Sequence, residues 1–249
     1  MRVHLTAIVL VALGSGGIAR ADSTDRIART IALAPGTPIH LNATIADVTI
    51  AGSARTDVSV EIVRHAPSAA DLTRYPAVVE QRADGLYIDV TQAGDGRDAD
   101  LKTDIVIGAP SSAVFAAVRV FEGRVTLTNL TSACDVDLQR GPIAATGLAG
   151  RIRLEAELGS VDVRDSTLTP GGMMRLRVFN GPVRVRFAKK PASGRILAVT
   201  FNGHLSSDIP LTMKDTFGPR FGETTIGSGD PVMSIDVVKG DIAITSPRP

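Results

Sequence analysis

Three aspartates and four arginines carry the types and spacing that polysaccharide chemistry could use: Asp135, Asp137 and Asp162, with Arg119, Arg153, Arg177 and Arg184. Cleavage of a glycosidic bond takes two carboxyl groups held at a fixed separation across it. Asp135 and Asp137 share one face of an alternating strand, whereas Asp162 lies on a strand beyond a corner. A solvated face of mixed charge accounts for all of them, and we read the set that way. A second acidic group, Asp95, Asp98, Asp100 and nearby Asp104, offers the carboxylate oxygens that a calcium ion takes. Its spacing fits no EF-hand loop and Arg97 interrupts it, so residues 93–100 read as a polar loop. Cys134 is the single cysteine; no base is nominated beside it, and a small half-buried apolar residue is the plain reading. His4, His40, His65 and His204 have no metal-ligand spacing. No Gly-x-Ser-x-Gly elbow, P-loop or Cys-x-x-Cys occurs. Asn42 and Asn129 open glycosylation triplets, which matter only in a eukaryotic secretory pathway. No catalytic, cofactor-binding or metal residue is nominated, and the expectation is a protein that is not an enzyme.

The elements that must position these residues form a repeat. An alternating apolar strand, a glycine and a second alternating strand recur at Gly123, Gly141, Gly159, Gly181, Gly203, Gly222 and Gly240, spaced 18, 18, 22, 22, 19 and 18 residues apart. A fixed period of this kind marks a repeat architecture. Before the glycine, Val118/Val120, Val136/Leu138, Leu154/Ala156, Leu176/Val178 and Ile235/Val237 alternate inward. After it, Val125, Ile143, Val161, Val183, Leu205, Thr224 and Ile242 do the same. Thr126, Asp162, Arg184, Ser206 and Thr225 point to water.

Two architectures fit. An antiparallel meander or sandwich would use Asn180-Gly181 and Asn202-Gly203 as hairpin turns and set Arg177 opposite Arg184, a repulsive pair. A β-solenoid of about seven coils, like a right-handed parallel β-helix or β-roll, would instead set Arg184 beside Asp162 and Arg177 beside Glu155. It would also set Phe179 beside Phe201, and Arg175 near Arg153. The attractive pairs favour the solenoid, about 34 Å long at roughly 4.8 Å per coil.

Upstream, residues 22–29 read as a loose lead-in, followed by short strands at residues 30–33, 39–45, 48–50, 58–62 and 86–90. Residues 66–80 are the best helical stretch, limited by Pro67 and Pro76. Residues 27–110 therefore read as an N-terminal β cap and residues 112–246 as the repeats, within one domain over residues 22–249. Residues 1–21 read as a signal peptide: Arg2 and His4, a short apolar run, and a cut after Ala21 in Ala19-Arg20-Ala21. A formal net charge of +1 lacks the footprint of a nucleic-acid binder, and no later stretch is long and apolar enough to span a bilayer.

The repeats, with Pro35-Gly36 before the first strands and the stretch Ile105 to Pro110 before the first repeat, resemble the bacterial "putative adhesin" family of secreted β-strand-repeat domains. The resemblance implies a solenoid-like fold in an extracytoplasmic place and brings no catalytic residues. The expected function is a secreted or periplasmic, non-enzymatic β-solenoid whose outward Arg, Asp and Thr rows bind an envelope protein or surface glycan. The alternatives are a polysaccharide-active enzyme using Asp135 and Asp137, or a purely structural envelope component. Exposed solenoid ends make self-association conceivable.

Overall fold

The computed structural model describes residues 23–92, 101–214 and 218–246. The leader, residues 1–21, and Asp95, Asp98 and Asp100 lie outside the described residues. Nearly everything described is strand, joined in one mixed sheet. The chain opens with β1 (Ser23–Ala32), β2 (Pro38–Ser53) and β3 (Asp57–Ala66), then the short helix α1 (Ala69–Arg74). It continues through β4 (Val78–Gln81), β5 (Leu86–Val90) and β6 (Lys102–Pro110).

Three long strands follow, β7 (Val114–Thr128), β8 (Cys134–Thr146) and β9 (Arg151–Ser166). Then come β10 (Met173–Asn180), β11 (Val183–Phe187), β12 (Gly194–Asn202), β13 (Leu205–Ser207), β14 (Thr212–Lys214), β15 (Arg220–Ile226), β16 (Val232–Lys239) and β17 (Ile242–Thr245). The helix sits where residues 66–80 predict it, with Ser68 accepting from the Asp71 N–H as its N-cap.

Strand β2 pairs in parallel with β7, β7 with β8, and β8 with β9. Both β10 and β11 pair in parallel with β9, which sets Arg177 beside Glu155 and Arg184 beside Asp162. The same register places Arg175 beside Arg153. In β8 the buried positions are Cys134, Val136 and Leu138, then Ile143 and Ala145. The inward parity thus switches across Gly141, so the strand turns a corner there and both of its halves face one core. We call the ladder before this corner the first flank and the ladder after it the second flank.

The corner is built from glycine because the backbones of neighbouring levels touch. A Cβ on Gly141 would lie 1.7 Å from the Gly123 carbonyl oxygen, and one on Gly159 would lie 1.8 Å from that of Gly141. The column continues through Gly181 onto Gly159, Gly240 onto Gly181, and Gly203 onto Gly240, and it starts with Gly123 against Ala46 of β2.

Four expectations are corrected. Residues 23–29 are not a loose lead-in, because β1 pairs antiparallel with β3 along its whole length. The two strands expected at residues 39–45 and 48–50 are one, β2, bent at Ala46. Gly222 is not in the glycine column: it lies in β15, which pairs antiparallel with β12 and β14. Finally, β16 inserts between β10 and β12. Phe179 and Phe201 therefore stand on either side of β16, two strand spacings apart, and do not touch as neighbours. The insertion sets Asp236 in register beside Arg177, where adjacency to β12 would set Val199.

The inward residues of both flanks form one apolar cluster, reaching from Ile39 of β2 to Ile244 of β17. Each fully buried Val, Leu or Ile stabilises this core by about 2 kcal/mol. Beside it, Tyr75, Leu101 and Ala66 form a small second cluster under α1.

Candidate interaction surface

On the first flank the outward side chains stand in rows across the strands. One row runs Asn42, Arg119, Asp137, Glu155, Arg177, Asp236, Val199. The row before it contains Asp135, Arg153, Arg175, Ser234 and Leu197. Neighbouring strands sit about 4.8 Å apart, so these side chains reach one another.

The structure brings most of the sequence-nominated charges together, as ion pairs. Asp135 is held between Arg119 at 2.8 Å and Arg153 at 3.1 Å, and Arg153 also bonds Glu155 at 2.8 Å. Both Asp135 oxygens are thus engaged by guanidinium groups of the neighbouring strands, Oδ1 by Arg119 of β7 and Oδ2 by Arg153 of β9. The side chain of Asp137, the next outward residue, makes no hydrogen bond or ion pair among the described residues.

Asp162 lies on the second flank, bonded to Arg164 at 2.8 Å, and that guanidinium holds its carboxyl below the usual range. Arg184 faces water on the second flank as well, so Arg177 and Arg184 belong to different flanks of the Gly181 corner. The second flank carries small side chains beside these charges, with Thr49, Thr126 and Ala144 in the row that leads to Asp162.

The other nominated residues have structural roles. Cys134 is fully buried, deeper than the sequence implied, between Phe115 and Ile152, and burial pushes its thiol up to about 12. His40 stacks on Tyr87 with ring centroids 4.7 Å apart. His65 meets the Thr24 hydroxyl at 3.0 Å. The His204 backbone N–H donates to Asp241 at 2.8 Å, the main cause of that carboxyl's lowered pKa. Asp104 pairs with Asp47 across β2 and β6. Among the described residues no group of three or more His, Cys, Asp or Glu could hold a metal ion.

Sequence reasoning named Arg177 as an outward residue and set Phe179 beside Phe201, but not that these groups stand exposed and unengaged on the first flank. Phe179 and Phe201 are each 55% exposed, on the row next to the glycine column, with Val238 between them. Arg175 and Arg177, beside Phe179 on β10, make no hydrogen bond or ion pair among the described residues. The signal was present in β10, where MMRLRVFN puts Met173, Arg175, Arg177 and Phe179 all on the outward parity. It also missed a second corner of left-handed residues, Asn129, Gly147 and Asp165, with φ of 53°, 67° and 50°. These share the 18-residue period, and Asn and Asp tolerate that conformation.

No family model matches the sequence, and no curated protein matches it. Among solved structures, the fold is similar to a putative cell adhesion protein from Clostridium sporogenes, at 10% identity and a TM-score of 0.49, covering 90% of this chain and 100% of that one. A putative adhesin from Bacteroides fragilis follows at 12% identity and a TM-score of 0.33, covering 90% and 97%. A putative lipid binding protein from Parabacteroides distasonis stands at 10% identity and a TM-score of 0.30, over the same shares. The neighbours thus include proteins that carry the adhesin name to which the repeats led. Among the described residues no helix is long and apolar enough to cross a membrane.

Proposed function

We propose that the chain is a secreted or periplasmic, non-enzymatic β-solenoid, one domain over residues 22–249, that engages a cell-surface partner through its first flank. The leader-like residues 1–21 support export with a cut after Ala21. The parallel ladders and the glycine column support a solenoid reading, with the chain turning at the same corner on each level.

One observation carries the binding reading. Two strongly exposed phenylalanines and two unpaired arginines share one flank, where Asp135, Arg119, Arg153 and Glu155 are tied to one another. Aromatic residues and arginine are the types enriched where proteins meet partners, and an exposed apolar patch rimmed by polar groups marks such a site. The carboxyl groups around Asp137 are already committed, Asp135 to Arg119 and Arg153 and the cross-strand neighbour Glu155 to Arg153, which disfavours the enzymatic alternative.

The test is capture with the purified mature chain against envelope extract and a panel of surface glycans. A saturable partner should be retained and lost on the Arg177→Glu/Phe179→Ser variant, whereas Arg184→Glu on the other flank should keep it. A partner held equally by all three proteins would refute the assignment to this flank. Shortened glycan products would restore the enzyme.

A further inference from the structure

Asn42, Asp137 and Gln139 present polar groups that no described residue engages, and all three line one groove of about 440 Å³ on the first flank. Its size lies within the range of small-molecule sites, about 300–1,000 Å³. Strand register dictates the convergence. Asn42 pairs with Arg119 and Arg119 with Asp137, so the amide, guanidinium and carboxylate stand side by side across β2, β7 and β8. One step along, Thr44, Phe121 and Gln139 occupy the next outward positions of the same three strands, and Thr91 closes the groove beyond β5.

We propose that this groove is a saccharide subsite that takes an uncharged pyranose unit, an inference that rests on the first flank being the binding surface. A sugar hydroxyl donates and accepts at once, and the groove offers both partners: a carboxylate that only accepts, a guanidinium that only donates, and two amides that do either. Phe121 lines the groove as its aromatic member, with the Arg140 guanidinium 5.3 Å from its ring centroid, and its remaining ring surface can meet the C–H side of a sugar. The half-buried carboxylate of Asp137 gains most, because its hydrogen bonds to hydroxyls are charge-assisted.

The charge balance chooses the class of sugar. Arg119, in register beside Asp137, bonds Asp135 at 2.8 Å, while the Asp137 side chain makes no ion pair among the described residues and has Glu155 as its other neighbour. A uronate would therefore meet a free carboxylate and a guanidinium already engaged, whereas a neutral hexose meets no repulsion. The rows that form the groove continue over Arg177 and Phe179 to Phe201, so a longer glycan anchored here would run across the strands along the first flank.

The experiment is calorimetric titration of the full mature chain with cellohexaose, laminarihexaose and maltohexaose, and with an oligogalacturonate as the charged probe. At least one neutral hexamer should bind saturably and be recovered intact. Asp137→Ala and Asn42→Ala should each weaken it about tenfold or more. Both variants should melt like the parent, because neither side chain holds a partner in the fold. No neutral hexamer bound, tighter binding of the galacturonate, or binding that survives both substitutions would overturn the subsite. Failure here with the envelope partner still lost on Arg177→Glu/Phe179→Ser would sink the groove alone. Retention of that partner on the flank variant would sink the flank reading itself.

Discussion

Arg64 is the least typical residue of the fold, a guanidinium only 3% exposed. Its Nε donates to Asp25 at 2.9 Å, and its other nitrogens reach the second Asp25 oxygen and the Tyr75 carbonyl. These bonds tie the edge strand β1 to β3 and to the end of α1. Removing one partner of a buried pair leaves an uncompensated charge, so Asp25→Ala should cost about 3 kcal/mol, read as a shift in the urea midpoint. The figure sits at the lower end because the Asp25 side chain is 35% exposed and water can partly replace it. A loss under 1 kcal/mol would mean that Arg64 finds another acceptor. Cys134 gives a second prediction at this scale. Its thiol stays protonated until about pH 12 because burial disfavours the thiolate, so iodoacetamide at pH 8 should label it only after denaturant is added. Labelling of the folded chain at the unfolded rate would place Cys134 near solvent.

The levels of the fold are welded at the glycine column. Gly141 has φ of 128°, and its would-be Cβ points at backbone, which cannot yield as a flexible side chain could. Gly141→Ala should therefore destabilise by about 4 kcal/mol or more, adding a clash to backbone strain. Gly171→Ala, at φ of 69° in open space, should cost about 1 kcal/mol. Equal midpoints for the two variants would contradict the close stacking. The column was readable before the structure because a close backbone approach demands glycine, and six of the seven spaced glycines stand in it. Gly222 misled because an antiparallel strand offers the same alternation as a parallel one. The lead-in was misjudged because β1 is only half buried, so Asp25, Arg26 and Arg29 look like a loop by composition. The first-flank groove was invisible for a different reason: Asn42 and Asp137 are far apart in sequence, and only the pairing of β2 with β7 makes them neighbours but one.

Over the whole molecule, the order of the levels departs from the order of the chain. The last unit, β16 and β17, lies between β10 and β11 on one side and β12 and β13 on the other. Apolar parity could not reveal this, since the units around Gly203 and Gly240 offer the same inward pattern. The charges held the clue: Asp236 beside Arg177, and Asp241 beside His204. A stack in chain order would lose only its end when its last unit is removed. Here the last unit is a middle layer, so truncation after Gly229 should abolish the cooperative melt and not merely lower its midpoint. A truncated chain that still melts in one sharp transition would contradict the inserted order.

The central claim, that the first flank is the surface this protein uses, is tested most directly by oxidative footprinting of the chain with and without its captured partner. Phe179, Phe201 and Met173 are exposed and oxidisable in the free protein. Protection of these three, with His204 on the second flank labelled as before, is the predicted result. Protection of His204 with the three still labelled would place the partner on the other flank and contradict the account.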